Sequence, residues 1–192
     1  METTVQQKKR LRAQLRQERR ALDPEILLRD SAAICSRLLE LPELRRARTV
    51  FCYVSCSGEV ETHRLIGHLL KQGKTVLVPR CRARGLMDCV PITSLDDLRP
   101  GAYGILEPPP GTPAVPAASV DFAIVPAVAC GRDGSRLGQG GGYYDRFLQQ
   151  TGCAFAALCT EAFLLPRVPC EAHDRNMKII VTQQRVLRFE EL

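Results

Sequence analysis

Residues 131–145 read GRDGSRLGQGGGYYD and hold six of the fourteen glycines in the chain. An apolar run, Phe122 to Ala129, precedes them, and a helix-compatible run, Tyr143 to Gln150, starts inside them. A buried strand, a glycine-rich loop and a helix start are the parts of a phosphate cradle. Glycines let the backbone approach an anion, and the free N–H groups and dipole of the helix end favour negative charge. Arg132 and Arg136 put positive charge in the loop and Asp145 closes it, a pairing that suits a nucleotide bound with a divalent cation. The loop is neither a Walker A sequence, since no Gly-Lys-Ser/Thr follows, nor a Gly-x-Gly-x-x-Gly fingerprint in its usual register. On residues alone it reads either as an anion loop or as a tight turn whose glycines permit close packing.

Around this loop, strands and helices alternate. Residues 5–21 read as a basic helix with a narrow stripe of Leu11, Leu15 and Leu22. Asp23-Pro24 supplies an N-cap and a first helical residue for a second helix to about Leu39, with Leu27, Ile34, Leu38 and Leu41 inward and Pro42 past its end. Thr49 to Val54 is the first buried strand. Ser55 to Thr62 follow as a strand-to-helix loop, with Thr62 capping a helix over His63 to Lys71 that stops at Gly73. Strands are expected at Thr75–Pro79, Met87–Ile92, Phe122–Ala129, Ala154–Cys159 and Lys178–Thr182, with a helical turn at Leu95–Leu98. The five prolines between Glu107 and Ala118 read as a stiff extended crossover within one domain. The alternation predicts a single α/β domain over 1–192, with an open, mainly parallel, Rossmann-like sheet and helices on both faces. Ligands of such sheets sit at the C-terminal strand ends, where Ser55 to Glu61, the glycine loop and the stretch around Asp174 fall.

Composition narrows the function classes. The chain has 192 residues, enough for one sizeable core, and a formal net charge of +6. Most of that excess lies in Lys8, Lys9, Arg10, Arg12, Arg16, Arg19 and Arg20, set against Glu2 and Glu18. The remainder is close to balanced, which argues against a general nucleic-acid surface. The nine cysteines form no Cys-x-x-Cys pair and several lie in apolar runs, as expected of reduced thiols. No apolar run reaches membrane-spanning length, so no membrane partner is expected. The basic, amphipathic start resembles a mitochondrial presequence, but Glu2, Glu18 and Asp23 count against it, and a cytoplasmic monomer is expected.

The residues then become recognisable. Arg136-Leu137-Gly138-Gln139-Gly140-Gly141-Gly142-Tyr143-Tyr144-Asp145 resembles the signature of the 5-formyltetrahydrofolate cyclo-ligase family. Lys8-Lys9-x-Leu11-Arg12, Glu59-Val60-Glu61-Thr62, Pro79-Arg80 followed by Met87, Leu98-x-Pro100-x-x-x-Gly104-Ile105-x-Glu107-Pro108, Val125-Pro126-x-x-Ala129 and His173-Asp174-Arg175 resemble its other segments, in order along nearly the whole chain. The resemblance implies conversion of 5-formyltetrahydrofolate to 5,10-methenyltetrahydrofolate, with ATP as co-substrate, Mg²⁺ as cofactor, and ADP and phosphate released. It further implies that Arg136 and Tyr143 are catalytic and that ATP is held by Lys8, Arg12 and the loop Arg136, Leu137, Gly138, Gln139, Gly140, Gly141, Gly142, Tyr143 and Tyr144. Folate would be bound by Cys56, Glu61, Gln139, Gly140, Gly141, Gly142 and Tyr143, and Mg²⁺ by Asp145 and Asp174. His173 would act as a catalytic or a loop-positioning residue.

On residues alone several of these keep a second reading. Lys8 and Arg12 fit a solvated basic helix face, and Asp145 a first-turn acid favoured by the helix dipole. Asp174 fits a turn, Glu61 an acid at a helix start, and Tyr143 an aromatic packed on the sheet. Gln139 and Gly141 stand where some family members carry basic residues, and Lys178 where a second acid is often found. Two rival functions remain: a folate-binding protein without turnover, against which Arg136, Asp145 and Asp174 count, and a nucleotide- or RNA-binding module, against which the lack of an RNA-binding motif counts.

Overall fold

A computed structural model describes residues 2–56, 58–101 and 104–189, apart from the Arg84 side chain. Helix α1 (Thr4–Arg20) opens on a capping box in which the Thr3 hydroxyl accepts from Gln6 N–H and the Gln6 side chain accepts from Thr3 N–H. Helix α2 (Pro24–Leu39) starts on the expected Asp23 cap, whose carboxylate accepts from Glu25 N–H at 2.8 Å. Pro42 opens a further short helix, α3 (Pro42–Arg46), as proline does at a first helical position. There follow β1 (Thr49–Cys52), α4 (His63–Lys71), β2 (Thr75–Cys81) and β3 (Met87–Ile92), then a two-strand ribbon of β4 (Arg99–Pro100) and β5 (Leu106–Glu107). The second half holds β6 (Phe122–Pro126), β7 (Ala129–Gly131), β8 (Arg136–Leu137), α5 (Tyr143–Gln150), β9 (Ala154–Leu158), β10 (Leu164–Leu165), β11 (Ile179–Val181) and β12 (Val186–Arg188).

The main sheet has seven strands in the order β12-β11-β9-β6-β1-β2-β3. Strands β11, β9, β6, β1 and β2 are parallel, and the antiparallel β12 and β3 close the two edges. Side chains alternate between its faces, as the period of two requires. Phe122 and Ile124 join Ile34, Leu38, Leu65 and Ile66 under α2 and α4, whereas Ala123 and Val125 join Leu15, Phe147 and Leu148 under α1 and α5. Phe51 of β1 stacks on Phe147 of α5 with ring centroids 4.3 Å apart. The expected open α/β sheet with helices on both faces is thus present. Among the described residues no helix is long and apolar enough to cross a membrane.

Two expectations need correction. The run from Phe122 to Ala129 is not one strand. Pro126 has no N–H to extend a ladder, and the chain turns after it, so that Ala129–Gly131 pairs with β8 and β10 in a separate three-stranded sheet. The glycine stretch is likewise not one open loop. Its first half is a hairpin, with Ala129 opposite Leu137 and Cys130 opposite Arg136, leaving Gly138–Gly142 as the loop proper.

The chain leaves β1 toward β2 on one side of the sheet, and the strands after β6 add on the other. Loops beyond the C-terminal ends of β1 and β6 therefore part at this point and leave a crevice between them.

Candidate active site

A cavity of about 570 Å³ fills that crevice. One wall is α1 together with the glycine loop. The other combines the segment after β1 with Pro79, Cys81, Met87, Ile105 and Glu107.

Helix α1 brings its charges to the loop because Lys8, Arg12, Arg16 and Arg19 recur at helical spacing and so share one face. Arg12 Nε donates to Gly138 O at 2.7 Å, and Arg16 donates to Gln139 O at 3.2 Å and to its Oε1 at 3.0 Å. Arg19 donates to Ala127 O and Val128 O, holding the turn after β6. Burial and then the neighbouring Arg16 lower the Arg12 guanidinium from its ordinary value, although it stays a cation. The three arginines of this face are thus directed to the glycine loop and to the turn after β6.

Lys8, 4% exposed, reaches the turn before β11. It donates to Glu171 at 2.8 Å and to Asp174. Burial alone would lower Lys8, but hydrogen bonds and charge from Asp174 and Glu171 outweigh it and hold the ammonium above its ordinary value. Burial likewise would raise Asp174, and Lys8 with the Glu171 N–H outweighs it and holds that carboxyl below its ordinary range.

Arg136 does not reach into the cavity as a free donor. Its guanidinium is buried, donating to Asp145 Oδ1 at 2.8 Å and to Pro126 O at 3.1 Å. The same Asp145 oxygen accepts from Arg175 N–H at 3.3 Å, which sets Asp145 beside the Asp174 turn. Arg136 therefore holds the metal-candidate acid in place, a consequence of the β7–β8 pairing that points its side chain inward. Gly142, at φ 69°, precedes α5 in the left-handed region, where glycine is favoured, and no side chain caps this helix start. The start of α5 opens on the cavity wall, where a helix end favours negative charge. Tyr143 lies at this mouth, its hydroxyl 3.5 Å from Arg82 O, and Tyr144 packs against both cores.

The segment after β1 places its residues differently from expectation. Glu61 is outside the cavity lining; its Oε1 accepts from His63 N–H at 2.5 Å and Arg64 N–H at 3.3 Å, capping α4. Thr62, expected as that cap, turns inward instead and donates to Tyr53 O at 2.8 Å. Glu59, 9% exposed, is the acid that faces the cavity, accepting from Cys56 N–H at 3.1 Å and from Gln139 Nε2 at 3.4 Å. Cys56 also lines the cavity, and burial followed by the Glu59 charge pushes its thiol up to about 11, so it stays protonated at neutral pH. Ser57 lies outside the described residues.

Glu171, His173 and Asp174 offer atoms that all lie within 4.8 Å of one another. Hard carboxylate oxygens from Asp145, Glu171 and Asp174 beside a glycine loop fit Mg²⁺, which takes one or two carboxylates and completes its shell with phosphate oxygens and water. His173 itself is largely exposed, and Lys178 lies over the Phe155 ring at 5.6 Å, away from the cavity lining. Residues missed by the sequence reading are Arg16, Glu59, Glu107 and Glu171. The spacing Lys8, Arg12, Arg16 on α1 was a signal for the first of them.

Compared with characterised proteins, the chain matches the 5-formyltetrahydrofolate cyclo-ligase family over residues 4–183. It is 31% identical to the 5-formyltetrahydrofolate cyclo-ligase of Mus musculus over 188 residues, which cover 91% of this chain and 93% of that protein. It is 33% identical to the Mycolicibacterium smegmatis cyclo-ligase over 188 residues, covering 93% and 94% of the two chains. The NMR structure of Aquifex aeolicus 5,10-methenyltetrahydrofolate synthetase superposes with a TM-score of 0.85 at 32% identity, covering 96% of this chain and 93% of that one. This chain belongs to the 5-formyltetrahydrofolate cyclo-ligase family.

Proposed function

We propose that the protein converts 5-formyltetrahydrofolate and ATP to 5,10-methenyltetrahydrofolate, ADP and phosphate. The observation that carries this reading is one cavity with two unlike ends. A cationic glycine loop under α1 suits phosphates, and an apolar wall with buried carboxylates suits a ring that donates hydrogen bonds.

The chemistry explains why both ends are needed in one space. A formamide-type carbon is a poor electrophile and its oxygen a poor leaving group. Transfer of the γ-phosphoryl group to the formyl oxygen breaks the Oβ–Pγ bond, forms an O–P bond and releases ADP. N10 then attacks the formyl carbon, loses its proton, and the phosphate leaves with the former formyl oxygen. Such a transfer depends on positioning and charge neutralisation more than on an acid or base. Lys8 and Arg12 supply positive charge beside the loop, and the N–H groups of Gly138–Gly142 and of the α5 start supply donors. Arg136 keeps Asp145 oriented, and Tyr143 stands where the two substrates would meet. Mg²⁺, which Asp145 and Asp174 would hold, neutralises phosphate charge when bound. Cys56, held as a thiol, forms part of the folate wall rather than a nucleophile.

The test is incubation with 5-formyltetrahydrofolate, ATP and Mg²⁺ while following the near-UV absorbance of the methenyl product. The signal is expected only with all three present. Well-folded protein that gives no ATP-dependent signal contradicts the reading and leaves a folate-binding protein without turnover.

A further inference from the structure

Two buried carboxylates, Glu59 and Glu107, line the cavity, and of the two only Glu59 is met by the glycine loop, through Gln139. Glu107 ends β5, is 7% exposed and lines the cavity beside Cys81, Met87 and Ile105. Its Oε1 accepts from Cys81 N–H at 3.2 Å. Its Oε2 packs on Gly101, where a Cβ would stand only 2.6 Å away, so the backbone of the β4–β5 ribbon is held close around it. Among the described side chains no cation pairs with it: Arg80 and Arg82, at the adjoining end of β2, both pair with Asp88. The Cys81 thiol beside it is pushed up to about 12 by burial and by Glu107 itself, so it remains a neutral neighbour.

A buried carboxylate whose donors are one backbone N–H and a weak thiol, with no counter-charge among the described side chains, is costly unless further donors reach it. The surroundings select those donors. A phosphate is disfavoured here, because Glu107 is a buried carboxylate and Lys8, Arg12 and Arg16 of α1 are engaged at the turn before β11 and at the glycine loop. A flat ring that offers adjacent N–H and NH₂ groups matches the paired oxygens of a carboxylate, and Pro79, Met87 and Ile105 give its faces apolar walls. We propose that Glu107 is the substrate-recognition carboxylate that accepts from the 2-amino and N3–H edge of the pterin ring. The proposal rests on the folate reading above and adds to it the residue that selects the ring.

The experiment measures binding, without ATP, of 5-formyltetrahydrofolate and its 2-desamino analogue to the full chain and to Glu107→Gln. The unaltered protein is expected to prefer the parent by about tenfold to a hundredfold, the effect of hydrogen bonds to a charged group. Glu107→Gln should lose most of that preference while its far-UV circular dichroism is unchanged. Glu107→Asp, which keeps the charge and shortens the reach, should fall between them and serves as the readout where Glu107→Gln does not fold. An undiminished preference for the parent in either folded variant overturns the assignment. Tight binding of 5-formyltetrahydrofolate by the unaltered protein with no preference over the analogue also overturns it and leaves the folate reading intact, whereas failure of the unaltered protein to bind either compound overturns both.

Discussion

At the cationic end of the cavity the chain has already partnered its own charges. Lys8 is paired with Glu171 and Asp174, Arg136 with Asp145, and Arg12 and Arg16 with loop carbonyls. Among the described residues Glu59 and Glu107 are buried with amide donors and no paired cation, Glu59 against the glycine loop through Gln139 and Glu107 at the apolar wall. On the proposed function the difference sets how the two substrates would be met. A phosphate chain would meet a loop fixed before it arrives, where little reorganisation is needed. A ring would meet acceptors that have capacity left for its donors. Removing a partner at the first end should therefore cost stability as well as nucleotide handling, and a change at the second should act mainly on recognition.

The largest break is expected at Arg136→Ala. It leaves Asp145 without its cation and the Pro126 carbonyl without its donor. Loss of one partner of a buried pair costs about 3–5 kcal/mol, read by urea denaturation; a loss below about 1 kcal/mol would mean that the pair does not organise the loop. Next is Lys8→Met, expected to raise the KM for ATP about tenfold, the loss of one charge-assisted hydrogen bond, with the KM for 5-formyltetrahydrofolate changed less than about twofold. Equal rises in both would erase the division between the two ends.

Glu61→Gln sharpens the comparison from outside the cavity. With its carboxylate on the α4 start, it should lose about 1 kcal/mol of stability and leave the folate KM unchanged. A large rise in folate KM in a protein of unchanged stability would return Glu61 to the binding site. The smallest effect concerns the hairpin that carries the loop. Burial alone would raise the Asp133 carboxyl, but Arg167 and the Ser135 hydroxyl and N–H outweigh it and hold it below its ordinary value. Its contribution is present above about pH 3.9, the unfolded value, and is lost as pH falls through the lower folded value. Asp133→Asn should cost about 1 kcal/mol or less at neutral pH, since Arg167 is 81% exposed. The gap to the unaltered protein should close below about pH 4 in an acid-unfolding series, and a gap that widens there contradicts the assignment.

The alternation of strands and helices was legible because each long element carries its own signal: the Asp23-Pro24 start of α2, the β-rich Thr49–Cys52, the glycine loop before α5. Strands β4, β5, β8 and β10 have two residues each and exist only through their partners, so no local pattern announces them. The site divides in the same way. Lys8, Arg12 and the glycine loop were singled out through the family motif they resemble; the spacing of Lys8 and Arg12 alone fitted a solvated basic helix face, which in the structure lines the cavity. The exchange of Glu61 for Glu59 at the cavity depends on the bend at Glu59 and on the helix start at His63, which turn the two acids apart. Arg136 was visible as a loop cation but not as a buried one, since its burial follows from a pairing of β7 with β8 that the residues do not advertise.

The central claim is that the loop end of the cavity delivers a phosphoryl group to the formyl oxygen held at its other end. It is tested most directly with 5-formyltetrahydrofolate carrying ¹⁸O in the formyl group, turned over with ATP and Mg²⁺, followed by mass spectrometry of the inorganic phosphate. The account predicts one ¹⁸O in each phosphate released. Unlabelled phosphate formed together with the methenyl product would contradict it.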